Sequence, residues 1–175
     1  RGVGLFRTEV LYLAQASEPS IEQQTSAYTE VLKAAPAGKI IIRTIDAGSD
    51  KPVPFLKLGN EENPALGVRG FRLNTKHGGF VISQLKAIAA AINATGRDVG
   101  VMAPMVSSVE EVRTFAALCA EAGIQSVGIM IETPAIISLM PDLAGLVNFV
   151  SIGTNDLSQY LFAADRMHPE LGGFS

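Results

Sequence analysis

The chain has 175 residues, 47% hydrophobic and 18% charged, with a formal net charge of −3 and one cysteine. That composition suits one ordinary hydrophobic core and excludes an internal disulfide framework and a global basic field for nucleic acid or anionic membrane. No apolar run approaches the roughly 18 residues that a membrane-spanning helix needs.

The first apolar run is "GVGLF" (2–6), followed by Arg7-Thr8-Glu9 and a helical pattern over 20–35. "KIIIR" (39–43) follows and ends in Arg43-Thr44-Ile45-Asp46. Residues 46–78 then carry no clear helix until Phe80, and contain "DAGSDKPVPF", "NEENP" and "GVRGFRL". Long irregular connections of this kind inside a domain are usually functional. A helical pattern covers 80–94, and "VGVMA" (99–103) ends in Pro104-Met105. Ser107 and Glu110 read as an S-x-x-E capping box opening a helix over 107–122. "VGIMI" (127–131) ends in Glu132-Thr133, and Pro134 suits the first turn of a helix over 134–145. "NFVSI" (148–152) runs into Gly153-Thr154-Asn155-Asp156 and a last helix over 156–164. Gly38, Gly96 and Gly123 stand between helix and next strand, as C-terminal stops do.

Near-continuous apolar strands alternating with helices mean an α/β fold with a parallel sheet covered by helices. A doubly wound sheet should show G-x-G-x-x-G after its first strand, and "GVGLFRTE" offers only a partial match. Polar residues at the C-terminal ends of several strands instead favour a (β/α)8 TIM barrel, whose active site lies on that face. A whole barrel takes about 250 residues, so the expectation is an incomplete one of about five consecutive βα units. Its two edge strands, 2–6 and 148–152, invite pairing with another chain.

Arg7 and Arg43 end two strands, and the irregular loop adds Lys51, Arg69 and Arg72 on the same face. Several guanidinium forks converging on one rim imply a multiply charged anion. Glu132 and Asp156 end adjacent strands, and two hard carboxylates with open positions suit Mg²⁺ completed by a substrate phosphate. Mn²⁺ suits the same oxygens. The combination points to phosphoryl transfer by positioning and electrostatic stabilisation. Each residue also has a plainer reading. Asp156 or Asn155 can be a helix N-cap, Arg7 a partner of Glu9, Arg43 of Asp46, and Lys51 a solvated charge beside Asp50. Cys119 reads as core packing and His168, before Pro169, as a turn residue.

"GVGLFRTEVLYL", "IIRTIDAGSDKPVPFL", "NEENPALGVRGFRL", "APMVSSVEEV", "GIMIETPA" and "VSIGTNDLSQYLFAADR" resemble consecutive blocks of the phosphoenolpyruvate-utilising enzymes. Within them the likeness is to Enzyme I of the bacterial sugar phosphotransferase system, with the "RTIDAGSDK" block separating it from pyruvate phosphate dikinase and phosphoenolpyruvate synthase. The resemblance implies one partial domain over 1–175, the second to sixth βα units of a phosphoenolpyruvate-binding barrel. It implies phosphate contacts from Arg7, Arg43, Arg69 and Arg166, a substrate contact from Asn155, and Mg²⁺ on Glu132 and Asp156, with Asp156 also at the substrate. It further implies a cytoplasmic homodimer that passes the phosphoryl group to a histidine on a separate N-terminal domain and then to a small phosphocarrier protein.

In the family a cysteine on a later loop protonates the enolpyruvate carbon. Neither His77, His168 nor Cys119 matches those two catalytic groups, so no catalytic residue is expected in this chain, which should not turn over alone. The chain begins at Arg1 and reads as a piece of something longer. Ser49 and Val68 depart from the family pattern at loop positions. The alternatives are a sister enzyme making or consuming phosphoenolpyruvate with ATP, and a non-catalytic barrel that senses phosphoenolpyruvate.

Overall fold

A computed structural model of the chain describes residues 1–48 and 53–171. Lys51 and Ser49 lie outside the described residues. The apolar runs form five strands: β1 (Val3–Arg7), β2 (Ile40–Arg43), β3 (Val99–Ala103), β4 (Val127–Ile131) and β5 (Phe149–Ile152). They pair in parallel and in chain order, so each helical connection returns to the adjacent position. The result is a five-stranded, curled half-barrel, as the strand-end pattern led us to expect. The helices are α1 (Ile21–Ala34), α2 (Asn74–Thr95), α3 (Val109–Ala122), α4 (Pro134–Ser138) and α5 (Thr154–Phe162).

Strand periodicity divides the sheet into two faces. Ile40, Ile42, Val101, Ala103, Ile129 and Ile131 point outward and join Leu85, Ile88, Phe115 and Ile136 of the helices in the main core. The alternate residues line the concave side. Arg7 is in register with Arg43, Arg43 with Met102, and Met130 with Ser151. Arg7 reaches that row only because of an irregularity in β1. Val3 to Phe6 spans the same ladder interval as Ile40 to Ile42, so one extra residue reverses the phase of the strand end. On the outer face of β5, Val150 and Ile152 are 43% and 65% exposed, which keeps this edge open to a further apolar partner.

Several local expectations are corrected. The capping box of α3 is Ser108 with Glu111, not Ser107 with Glu110. The Glu111 N–H donates to Ser108 Oγ, while Glu111 Oε2 accepts from the N–H groups of Ser107 and Ser108. Ser107 Oγ instead accepts from Arg72 Nη2 at 3.1 Å. Ser108→Ala should therefore destabilise the fold by about 1 kcal/mol in a urea melt, with Ser107→Ala leaving the cap intact. The helix expected over 134–145 stops at Ser138 and gives way to a 3-10 turn, Met140–Leu143, since Pro141 cannot continue the ladder. Pro134 does occupy its first turn. Gly96 and Gly123 cap their helices in the left-handed conformation, whereas α1 is capped by Ala35 in extended backbone and Gly38 belongs to the following turn.

The irregular segment is better built than its sequence suggests. Short 3-10 turns at Pro54–Leu56, Pro64–Leu66 and Gly70–Leu73 lead into α2, which starts at Asn74 with a break at His77 rather than near Phe80. Val53, Leu56 and Leu73 bury against Tyr12, Ile45 and Phe80 in a second small core. The Tyr12, Phe55 and Phe80 rings meet edge-on with centroids 5.2–6.2 Å apart. This packing anchors the loop over the rim of the sheet.

Candidate functional site

The C-terminal ends of β1, β2, β4 and β5, with the start of α5, line an open cavity of about 400 Å³. Arg7, Arg43, Asp46, Glu132, Asn155, Asp156 and Arg166 line it. Strand-end reading placed all of these but Arg166 on one rim, the family resemblance added Arg166, and the fold brings them together. Arg69 lies behind the lining, only 1% exposed.

The arginines differ sharply in their surroundings. Arg7 is exposed at the mouth and makes no ion pair among the described residues. Arg43 is buried; its Nη2 donates to Glu9 Oε1 at 3.2 Å and its Nη1 pairs with Asp46 Oδ2 at 3.3 Å. The Glu9 carboxylate thus belongs to Arg43 and not to Arg7. Arg43 Nε is buried without a hydrogen-bond partner among the described residues, an open donor on a fixed cation. Arg69 bridges two carboxylates: its Nη2 and Nε reach Asp46 at 2.9 and 3.3 Å, and its Nη1 reaches Asp156 Oδ1 at 2.9 Å. Burial by itself pulls the Arg69 pKa down, and Asp46 and Asp156 more than reverse this. Arg166 Nη1 lies 3.4 Å from Asp156 Oδ2. Arg72 is a loop staple, donating to the carbonyls of Leu66 and Gly67 at 3.0 and 3.2 Å.

Among the carboxylates, Asp156 does not cap its helix. The N-cap of α5 is Gly153 without a side-chain bond, and Asp156 sits in the first turn facing Arg69 and Arg166. Asn155 is exposed beside it, so neither residue fills the cap role that local pattern allowed. Glu132 is 1% exposed, and its Oε1 accepts the Met105 N–H at 2.7 Å. Burial, then the charge of Asp46, pushes its pKa up to about 7 against the pull of the Met105 N–H and Arg43.

Two glycines make this packing possible. A Cβ on Gly153 would sit 2.6 Å from Glu132 Oε2. Gly70, at φ +56, packs directly against Met105, whose Cβ would lie 2.7 Å from a side chain there. Met105 itself takes the left-handed conformation to aim its N–H at Glu132.

His77 interrupts α2, His168 stands in an exposed turn, and Cys119 packs in the core with its thiol pushed up to about 12 by burial. None of the three lines the cavity. Two further polar residues went unread in the sequence: Tyr160, whose hydroxyl lies 3.4 Å from Arg69 Nη1 and donates to the Ala65 carbonyl, and Gln84 in α2. An amide inside the apolar stretch "VISQLKAIAAA" was the only available signal for Gln84.

The family described as PEP-utilising enzyme, PEP-binding domain, matches residues 1–173. The chain belongs to the PEP-utilising enzymes. It is 47% identical over 167 residues to the phosphoenolpyruvate-protein phosphotransferase of Streptomyces coelicolor, covering 94% of this chain and 30% of that protein. It is 44% identical over 178 residues to the protein of that name from Haloferax volcanii, covering 94% and 32%. With the multiphosphoryl transfer protein of Rhodobacter capsulatus it shares 42% identity over 176 residues, covering 97% and 21%. The chain thus spans about a third or less of the length of these relatives. Among the described residues no helix is long and apolar enough to cross a membrane.

Proposed function

We propose that this PEP-binding domain holds phosphoenolpyruvate and Mg²⁺ for an Enzyme I-type phosphotransferase of the sugar phosphotransferase system. The observation that carries this reading is the cavity in which Arg7, Arg43 and Arg166 face the carboxylates of Glu132 and Asp156. Arg7 and Arg166 supply solvent-facing guanidinium forks for the phosphate oxygens, and Arg43, braced by Glu9 and Asp46, supplies a buried one with its Nε still open. Asn155 is the neutral donor and acceptor at the same wall. Arg69 acts from behind, holding Asp46 and Asp156 in place as well as adding positive charge below the phosphate.

The donor set fits a hard divalent cation. Glu132 and Asp156 both offer carboxylate oxygens on one cavity. Two protein carboxylates plus substrate oxygens are what Mg²⁺ takes. When bound, the ion supplies charge neutralisation at the phosphate and the developing enolate. The protein's own part is to fix the phosphoryl group in line for transfer and to exclude competing geometries.

The phosphoryl acceptor in this reading is a histidine on another domain, with a small phosphocarrier protein after it. The present strands then correspond to the second to sixth units of the barrel. A cytoplasmic homodimer with open edges β1 and β5 covered by further barrel units completes the proposal. The similarity to proteins named phosphoenolpyruvate-protein phosphotransferase supports it.

Calorimetry of phosphoenolpyruvate on the natural full-length polypeptide tests the site, with and without Mg²⁺. Asp156→Asn is the informative variant, because it keeps an acceptor for Arg69 while removing the charge. It should weaken Mg²⁺-supported binding by about 10- to 100-fold. Tight binding that ignores both the metal and the substitution removes the metal assignment.

A further inference from the structure

We infer that Gln84 is a positioning residue that sets the spacing between the strand ends carrying Arg7 and Arg43; the inference rests on the proposed phosphate role of those arginines. The reason lies in the backbone after β2. Ladder pairing runs as far as Thr44, whose N–H donates to the Met102 carbonyl at 3.0 Å. The next two N–H groups leave the sheet and are taken by side chains. Ile45 N–H donates to Gln84 Oε1 at 3.1 Å, and Asp46 N–H donates to Glu9 Oε1 at 2.6 Å. Buried backbone donors must be paired, so the course of this segment depends on where those two acceptors stand.

The amide orientation of Gln84 follows from its partners. Only an oxygen can accept from Ile45 N–H, so the NH₂ group faces the hydroxyls of Thr8, Tyr12 and Tyr28 at 3.2, 3.2 and 3.0 Å. The rest of the network closes consistently. Tyr12 O–H donates to Gln24 Oε1 at 2.8 Å, which leaves Tyr28 O–H to donate to Tyr12 across 2.7 Å. Gln24 Nε2 reaches the Pro19 carbonyl and Ser83 Oγ at 3.0 and 3.1 Å. Gln84 itself is fully buried.

One rigid amide on α2 therefore touches the residue after Arg7 and the second residue after Arg43. Strand pairing sets Arg7 beside Arg43, but β1 then passes directly into a 3-10 turn, Thr8–Leu11, and β2 into irregular backbone. A fully satisfied buried network is a stiff gauge between those two segments. An apolar side chain of equal volume would fill the same space and leave Ile45 N–H free to wander.

The test uses the natural full-length polypeptide, phosphoenolpyruvate calorimetry and thermal melts on Gln84→Met, Thr8→Val and Tyr28→Phe. Gln84→Met and Thr8→Val should each weaken phosphoenolpyruvate binding about tenfold at temperatures well below their melting points. Tyr28→Phe takes a hydroxyl from the side of the network away from the strand ends. It should lower the melting temperature yet keep phosphoenolpyruvate affinity within about twofold. Should Gln84→Met fail to fold, the near-isosteric Thr8→Val decides alone. A ligand-free readout is the NMR resonance of Arg43 Nε–H, expected to move in Gln84→Met and Thr8→Val and to stay in Tyr28→Phe. Wild-type protein that binds no phosphoenolpyruvate, with that resonance still moving, strikes the proposed function and leaves the positioning role. Folded Gln84→Met or Thr8→Val protein with unchanged affinity and an unmoved resonance overturns the inference.

Discussion

Replacing Arg69 by methionine should cost the folded protein about 3–5 kcal/mol, the usual penalty for removing one partner from a buried ion pair. The guanidinium is 1% exposed and stands between Asp46 and Asp156, 2.9 Å from each. Without it Asp46 keeps its pair with Arg43 and Asp156 its pair with Arg166, but the two carboxylates lose the buried cation that bridges them. Methionine nearly matches the volume, so the loss reads charge and hydrogen bonds rather than a cavity. Arg69→Lys should recover only part of it, because a single ammonium cannot reproduce a planar fork that bridges two acceptors. Urea denaturation measures both. An unchanged midpoint in Arg69→Met would mean that the bridge contributes nothing to folding.

Metal-free protein should lose stability as pH rises from about 4.5 to about 7, by roughly 3 kcal/mol, through Glu132 alone. Glu132 is buried, and its pKa in the fold stands near 7 against 4.5 for the ordinary side chain. Between those values the native state holds a proton that the unfolded chain has released. Stability therefore falls with rising pH, being fully present below about 4.5 and gone once pH passes about 7. Other groups titrate as well, so the diagnostic quantity is the difference between wild type and Glu132→Gln. That difference should open across this window, with the variant the more stable protein at pH 8. Parallel curves would show that Glu132 keeps an ordinary pKa. Mg²⁺ added at pH 8 should then raise the stability of wild type and not of the variant.

The two effects arise from one electrostatic design. Arg43, Asp46, Arg69, Asp156 and Arg166 alternate in sign along the rim, with Glu9 as a second anchor for Arg43. Arg43, Arg69 and Arg166 are each balanced by a carboxylate, which limits the repulsion among the converging arginines, and Arg7 at the exposed mouth relies on solvent instead. The same pairing tunes their roles: Arg43 and Arg69 are held rigidly, whereas Arg7 and Arg166 keep exposed surface with which to meet a ligand.

Much of this molecule was determined by its sequence alone. All five strands and the existence of all five helices follow from the alternation of apolar runs with helical periods, because burial and hydrogen bonding are set by neighbouring residues. Arg7, Arg43, Asp46, Glu132, Asn155 and Asp156 were legible for the same reason, since each stands at or just after the end of an apolar run, whereas Arg69 lies in the loop and Arg166 after α5 was reached only through the family resemblance. Only the tertiary structure decided the partnerships. Asp156 looked like a cap because Asp before a helix usually is one, yet its carboxylate turns to Arg69, 87 residues away in the chain. Glu9 adjoins Arg7 in sequence but serves Arg43 across the sheet, and Gln84 reaches two strand ends from a helix that gave no sign of doing so. Such contacts depend on register, on the extra residue in β1 and on the loop that packs over the rim. No local pattern encodes a distance between segments that meet only after the sheet has curled.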